Sequence, residues 1–181
     1  MPQGSVISPV LFNSFVADYP PSAPLVTSYA DDFSAAASAT SPTEAAGLLS
    51  AHAVDVAVWA REKGLSVSIP KSHATLLTPD TRQSNLDPGV RWGDDPLLHV
   101  RTPTILGVTL DPHLTFSPHV ARVAERTGGR LRILKALAGT SWGQDKETLL
   151  TTFKLLLSSI LHYASPLPSL VPYSLTPLNL Q

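Results

Sequence analysis

Residues 25–37 have the sequence LVTSYADDFSAAA, in which two adjacent aspartates separate two short apolar runs. Residues 25–29 and 33–37 have the length and composition of strands, so the sequence predicts a hairpin with Asp31 and Asp32 at its tip. Neighbouring strand side chains point to opposite faces, and only a tight bend lets adjacent aspartates approach one ion. Oxygen ligands favour Mg²⁺ or Mn²⁺ over zinc. The pair therefore predicts a divalent metal site, with a solvated turn as the alternative, because Asp is a common turn residue.

Other short segments occur with this hairpin in one characteristic order. They are PQGS at 2–5, Ser8-Pro9, Leu11-Phe12-Asn13, Tyr29-Ala30-Asp31-Asp32, GLSVS at 64–68, Lys71-Ser72, LGV at 106–108, Leu110-Asp111, His119, Trp142-Gly143 and ILHYAS at 160–165. In this order they resemble the polymerase palm and the thumb-side region of reverse transcriptases from non-LTR retrotransposons. Each segment alone is weak, but together they extend over nearly the whole chain.

The resemblance implies an RNA-directed DNA polymerase that joins nucleotides by two-metal phosphoryl transfer. Asp31 and Asp32 would be catalytic ligands of Mg²⁺ or Mn²⁺, and Lys71 would protonate the departing pyrophosphate. Seen without the resemblance, Lys71 beside Pro70 is an ordinary turn lysine. The implied partners are an RNA template, a DNA primer and deoxynucleoside triphosphates.

Gln3, Gly4 and Tyr29 match positions that line the nucleotide and template pocket in this family. Glycine lets the backbone approach a ligand closely, and a glutamine amide both donates and accepts hydrogen bonds. The alternative for Pro2-Gln3-Gly4 is a simple turn before a helix.

One catalytic acid of the family has no counterpart here, because it lies upstream of the Pro-Gln-Gly segment in which this chain begins. We therefore expect a carboxy-terminal fragment that comprises part of the palm and the thumb. Its metal site would be incomplete, so the fragment would be inactive alone. Its missing partner would be the upstream portion of the polymerase. The alternatives are a non-catalytic nucleic-acid-binding remnant and an inert degenerate mobile-element product.

Length and composition limit the classes of protein to which this chain can belong. With 181 residues and 43% hydrophobic content, the chain can bury one ordinary core or two small ones. Absence of cysteine excludes disulfides and thiolate zinc sites. The sequence shows no secretion signal and no apolar run long enough to span a membrane. We therefore expect an intracellular protein, nuclear or cytoplasmic, with no membrane partner.

Charge is distributed unevenly along the chain. Residues 1–99 carry ten acids against five Lys or Arg, whereas residues 100–181 carry four against eight. An acidic metal-binding half beside a basic half suits an enzyme that grips a phosphate backbone. The alternative is that the charge difference between the two halves of the chain arises by chance.

Periodicity and caps predict the elements of the first half. We expect a buried helix from residue 8 to about 19, and a second helix from Pro42, capped by Ser41 with Glu44 reaching back and ended by Gly64. Trp59 falls on the apolar stripe of that helix, which favours a core role over base stacking. The further predicted segments are strands at 65–69 and 74–77 around a turn at 70–71, a loop at 78–96, and strand sequence at 100 and 105–110.

The second half is predicted to be helical. A helix from Ser117-Pro118 to about residue 138 carries a basic row of Arg122, Arg126, Arg130 and Lys135, spaced to contact phosphates, with a solvated charged face as the alternative. A fourth helix is expected at residues 145–164 and an irregular proline-rich tail at 166–181.

The predicted fold class is α+β. Residues 1–111 would form the second half of a palm, built of antiparallel hairpins packed with helices, and residues 112–165 a helical thumb-like region.

Overall fold

A computed structural model describes residues 4–139, 142–163 and 165–169. These residues form two compact units: one comprises the chain up to Leu76 together with Asn85–Val100, and the other comprises Leu77–Ser84 together with the chain from Arg101. Both helices and short sheets are present, as the α+β prediction requires. The predicted functional division at residue 111 stays a prediction. In the described part of the chain, every helix is too short or too polar to cross a bilayer.

In the first unit, the described residues form three helical segments and six strands. They are α1 Ser8–Phe15, β1 Leu25–Tyr29, β2 Asp32–Ala36, α2 Pro42–Glu62, a 3₁₀ turn Ile69–Lys71, β3 His73–Ala74, β4 Arg91–Trp92, β5 Asp95–Pro96 and β6 Leu98–His99. β1 pairs with β2 and β4 with β5, both antiparallel, while β3 pairs with β6 in parallel.

Helix α2 follows its sequence signals closely. The Ser41 hydroxyl accepts a hydrogen bond from the Glu44 amide at 3.2 Å, and Pro42 occupies the first turn. The Glu44 carboxylate reaches back, as predicted, and accepts hydrogen bonds from the amide and hydroxyl of Thr40. Gly64 ends the helix with a φ of +67°.

Two predicted strands and the length of α1 are wrong. Residues 65–68 have no regular structure, since none of the described strands pairs with them and Pro70 has no amide hydrogen to donate. The strand predicted at 74–77 overlaps the observed β3 at Ala74 alone. Helix α1 stops at Phe15, and Val10 is 68% exposed, because only one face of this short helix meets the core of the unit.

That core is small and largely aromatic. Val16, Val56, Trp59 and Ala60 are buried, and five partly buried side chains pack against them: Phe12, Tyr19, Phe33, Val67 and Trp92. The core therefore joins α1, the β1–β2 hairpin and α2. Trp59 lies within it, as predicted.

The described residues of the second unit form one short hairpin and four α-helices. They are β7 Thr104–Ile105, β8 Val108–Thr109, α3 Ser117–Leu137, α4 Lys146–Phe153, α5 Ser159–His162 and α6 Pro166–Ser169, with a π-helical segment Lys154–Ser158 between α4 and α5. The prediction for α3 is confirmed to within one residue at its end. The helix predicted at residues 145–164 is interrupted by the π segment. The predicted irregular tail begins with one helical turn, because Pro is tolerated at a first helical position. The remainder of the tail, from residue 170, lies outside the described residues.

Candidate functional site

The acidic hairpin has a two-residue loop. Tyr29 pairs with Asp32 across the two strands, so Ala30 and Asp31 alone make the turn. Ala30 has a φ of +51°, the positive value that tight hairpin turns require. The second strand begins at Asp32, one residue earlier than predicted, which places Asp31 in the loop and Asp32 at the first strand position.

The two faces of this hairpin differ in character. Side chains alternate along a strand, so Asp32 and its cross-strand neighbour Tyr29 lie on the face opposite to Phe33. Asp31, Asp32 and Tyr29 are exposed, whereas Phe33 is half-buried against the core. The carboxylates of both aspartates accept no hydrogen bond and form no ion pair within the described residues. The core therefore supports one face, and the other presents free oxygen ligands.

An aromatic trio supports the buried face. The rings of Tyr19 and Phe33 are stacked, with centroids 4.6 Å apart and planes 6° from parallel. Trp59 meets both rings edge-on, at 5.2 Å from Tyr19 and 6.0 Å from Phe33. Such arrangements are favoured by the aromatic quadrupole. Phe33 directly follows Asp32, so this packing fixes the start of β2.

His52 of α2 forms hydrogen bonds with two residues of the segment before β1. Its Nε2 lies 3.1 Å from the Tyr19 hydroxyl and its Nδ1 lies 2.7 Å from the Ser22 hydroxyl. The imidazole is only 4% exposed, and burial lowers the pKa of His52, with nearby Asp55 opposing that shift. Burial raises the pKa of Tyr19. The neutral forms of both groups are therefore favoured.

Asp18 contacts the carboxyl-terminal end of α2 through Trp59 and Lys63. Its carboxylate accepts a hydrogen bond from Trp59 Nε1 at 3.1 Å and forms an ion pair with Lys63 Nζ at 2.8 Å. Hydrogen bonds from Lys63 and then Trp59 lower the pKa of Asp18. The Lys63 ammonium also lies 5.2 Å from the centroid of the Phe15 ring.

The structure shows no hydrogen bond or ion pair between the described residues Gly4 or Lys71 and either aspartate. Gly4 is exposed with a φ of +87°, a conformation that glycine adopts without strain. Gln3 lies outside the described residues. Lys71 is exposed at the end of the 3₁₀ turn, and its side chain contacts no described polar partner. Their predicted roles stay predictions.

The basic row on α3 is partly engaged within the protein. Arg122 Nη1 donates to the Thr104 hydroxyl at 3.2 Å, which attaches the first half of α3 to β7. Arg126, Arg130 and Lys135 are exposed, and their side chains form no ion pair or hydrogen bond with described residues. Three cations of the predicted row are therefore free to meet an anionic partner.

The amino-terminal end of α3 is fixed by buried polar groups. His119 is 3% exposed and its Nδ1 accepts a hydrogen bond from the Thr109 amide at 3.3 Å. Burial, and then the charge of Arg122, lower the pKa of His119. The buried Asp111 carboxylate accepts hydrogen bonds from Thr115 and from the Phe116 amide, the latter at 2.7 Å. These contacts orient the basic helix.

Sequence reasoning missed Tyr19, Ser22 and His52 as supports of the hairpin. His52 could have been found, since it lies four and seven residues before Val56 and Trp59 and so shares their buried helix face. Tyr19 and Ser22 flank Pro20-Pro21 in a loop, where no periodicity marks a buried contact.

Comparison with known proteins decides the family. Residues 1–110 match the family described as "Reverse transcriptase (RNA-dependent DNA polymerase)". The chain belongs to this reverse transcriptase family. The matched segment includes the acidic hairpin, and the resemblance to reverse transcriptases of non-LTR retrotransposons is confirmed.

Among curated proteins, relatives of this reverse transcriptase chain are polymerases of mobile elements. It is 32% identical over 149 residues to the probable RNA-directed DNA polymerase from transposon BS of Drosophila melanogaster, covering 76% of this chain and 16% of that protein. It is 27% identical over 173 residues to the RNA-directed DNA polymerase from mobile element jockey of Drosophila funebris, covering 91% and 19%. The chain thus spans less than a fifth of the length of these relatives. No solved structure matches the chain.

Proposed function

We propose that this chain carries the Asp-Asp metal hairpin and the basic helix of an RNA-directed DNA polymerase of a non-LTR retrotransposon. In this proposal residues 1–111 are part of the palm and residues 112–165 are a thumb-like region. The observation that supports it is the position of Asp31 and Asp32: they lie at the loop of a supported hairpin, with free carboxylates, inside the segment that matches the family.

The donor set of the hairpin fits Mg²⁺ or Mn²⁺. Both ions prefer oxygen ligands, and Asp31 and Asp32 offer two exposed carboxylates without competing cationic partners among the described residues. When bound, such ions stabilise the attacking and leaving oxygens of a phosphoryl transfer. The described residues contain no cluster of three or more His, Asp or Glu that could hold a metal, so the proposed site takes a further carboxylate from elsewhere in the polymerase.

The remaining proposed roles rest on the resemblance to the family. Gly4 and Gln3 would border the nucleotide and template, together with the exposed ring of Tyr29 beside Asp32. The Lys71 ammonium would donate a proton to the departing pyrophosphate. Asp31 and Asp32 would bind metal, and the family's substrates are an RNA template, a DNA primer and deoxynucleoside triphosphates.

Manganese binding tests the central step. Mn²⁺ broadens NMR signals of nearby amides, and we expect broadening of residues 29–33 that is weakened in Asp31→Asn and in Asp32→Asn. Asp94→Asn, which removes an exposed loop carboxylate of the same unit, is the matched control and should leave this broadening unchanged. Broadening that survives both hairpin substitutions would overturn the metal assignment.

A second candidate function is nucleic-acid binding without synthesis. The exposed and unpaired side chains of Arg126, Arg130 and Lys135 favour it, since such cations contact phosphates without any metal. Binding of a template and primer duplex, combined with absence of Mn²⁺ binding at the hairpin, would support this alternative.

A further inference from the structure

The hairpin that carries Asp31 and Asp32 has few supports of its own. It is a two-stranded sheet of five residues a strand, and no further described strand pairs with it. Isolated two-stranded hairpins are marginally stable in water. The position of its loop must therefore be fixed by side chains that pack against one face.

The stack of Tyr19 on Phe33 provides that support, and His52 holds Tyr19 in place. The Tyr19 ring covers the Phe33 ring at 4.6 Å, and its hydroxyl lies 3.1 Å from His52 Nε2. A buried polar atom is costly unless it has a partner, so each group holds the other in one orientation.

His52 fixes the hairpin at a second point. Its Nδ1 lies 2.7 Å from the hydroxyl of Ser22, three residues before the start of β1. The imidazole therefore connects α2 both to the segment that enters β1 and to the ring that packs behind β2. Neutral imidazole has one donor and one acceptor nitrogen, and two hydroxyl partners satisfy either tautomer.

We propose that His52 is a positioning residue for the Asp31–Asp32 hairpin, acting through Tyr19 and Phe33 on one strand and through Ser22 on the other; this rests on the metal-binding function proposed for the two acids. Among the described residues, His52 forms its hydrogen bonds with Tyr19 and Ser22, and none with either acid. It acts by reducing the conformations that the loop samples, because a preorganised ligand set binds an ion more tightly than a mobile one.

Substitutions that remove one or both hydrogen bonds of His52 test this role. Tyr19→Phe keeps the stacked ring and removes the hydroxyl, whereas His52→Ala removes both hydrogen bonds. His52→Gln keeps one donor and one acceptor. Tyr163→Phe is the matched control, since the Tyr163 hydroxyl donates to the Leu106 carbonyl beside the β7–β8 hairpin of the other unit.

Two measurements on the full 181-residue chain are needed. In the Mn²⁺ titration, the measured quantity is the Mn²⁺ concentration at which the amide signals of residues 29–33 are broadened to half their intensity. We expect Tyr19→Phe and His52→Ala to raise this concentration by about threefold to tenfold, the effect of losing one or two hydrogen bonds. His52→Gln should recover most of the native affinity, and Tyr163→Phe should match the native chain. Unchanged midpoints in both Tyr19→Phe and His52→Ala would overturn the proposal.

Amide hydrogen exchange separates this proposal from the metal assignment. Exchange in β1 and β2 should accelerate in Tyr19→Phe, while exchange in α3 stays native. If the native chain shows no Mn²⁺ broadening at residues 29–33, the metal assignment fails, and exchange alone decides whether His52 and Tyr19 fix the hairpin. Equal hairpin exchange in the native and Tyr19→Phe chains would overturn the positioning role, even if His52→Ala does not fold.

Discussion

The rings of Tyr19 and Phe33 are stacked, with centroids 4.6 Å apart and planes 6° from parallel. Tyr19 precedes the first strand of the acidic hairpin, and Phe33 directly follows Asp32 in the second. A single ring contact thus joins the chain on both sides of the candidate metal ligands. The hairpin depends on a packed aromatic core for its geometry, and that core can be perturbed without altering either acid.

Removing the central ring of this core should destabilise the first unit. Trp59 is buried, contacts both Tyr19 and Phe33, and donates a hydrogen bond to Asp18. We expect Trp59→Ala to lower the free energy of unfolding by about 3–5 kcal/mol, the range for truncating a core aromatic side chain. Urea unfolding followed by circular dichroism measures it. Trp142→Ala is the control, because Trp142 is 71% exposed, and an equal loss there would contradict the assigned core.

Catalysis should depend on Asp31 more strongly than on Lys71. In an active polymerase that contains this segment, Asp31→Asn removes a proposed metal ligand and should abolish primer extension. Lys71→Ala removes a proposed general acid, whose contribution is typically about 10²–10⁴-fold, so measurable extension should remain. Steady-state extension rates on an RNA template compare the two variants. A milder defect in Asp31→Asn would show that the ligand assignment is wrong.

Nucleic-acid binding should depend on salt through the free cations of α3. Each phosphate contact releases condensed counterions and contributes a slope of about −0.9 to log affinity against log salt on B-form DNA. We expect Arg126→Ala combined with Arg130→Ala to flatten that slope by about 1.8. Arg122→Ala should instead loosen the attachment of α3 to Thr104.

A charge-matched control is available for this titration. Arg101→Ala combined with Lys146→Ala removes two exposed positive charges of the same unit outside α3. Fluorescence anisotropy with a labelled template and primer duplex measures all variants across a series of salt concentrations. Equal slopes in the two double variants would show that the exposed face of α3 is only a solvated surface.

Two buried histidines should make stability fall in mild acid. Burial lowers the pKa of His52 and of His119, whose ordinary value is 6.5. Below that value the unfolded chain binds protons that the folded chain does not, so the free energy of unfolding falls until the pH drops below the lowered pKa values. The slope is at most about 1.4 kcal/mol per pH unit for each histidine.

Urea unfolding from about pH 8 to pH 5 measures this dependence, within the range where histidine titrates. The combined variant His52→Gln and His119→Gln should flatten the profile. His73→Gln, at an exposed position of β3, serves as the control. A profile that remains equally steep without the two buried imidazoles would assign the acid sensitivity to other groups.

Local sequence signals predicted the elements that carry the candidate site. The hairpin around Asp31 and Asp32, the capped start of α2 and the extent of α3 all depend on residues within a few positions of one another. Ser41 and Pro42 mark a helix start, and an apolar run on each side of Asp31-Asp32 marks two strands. The ordered motifs also identified the reverse transcriptase family.

Tertiary structure decided which side chains support the acids. Tyr19 and His52 are 33 residues apart in the chain, and no local period relates the loop beside Pro20 to a face of α2. The strands β3 to β8 have two residues each, too short for a pattern of period two, and their pairing depends on where the chain folds back.

Arg122 shows the same limit of sequence-based prediction, since its helical spacing from Arg126 and Arg130 is plain in the sequence. Only the approach of Thr104, 18 residues away, shows that Arg122 is engaged within the protein while the other two remain free. Spacing along a helix determines which side chains share a face. Whether another segment packs against that face depends on how residues distant in the sequence fold back onto the helix.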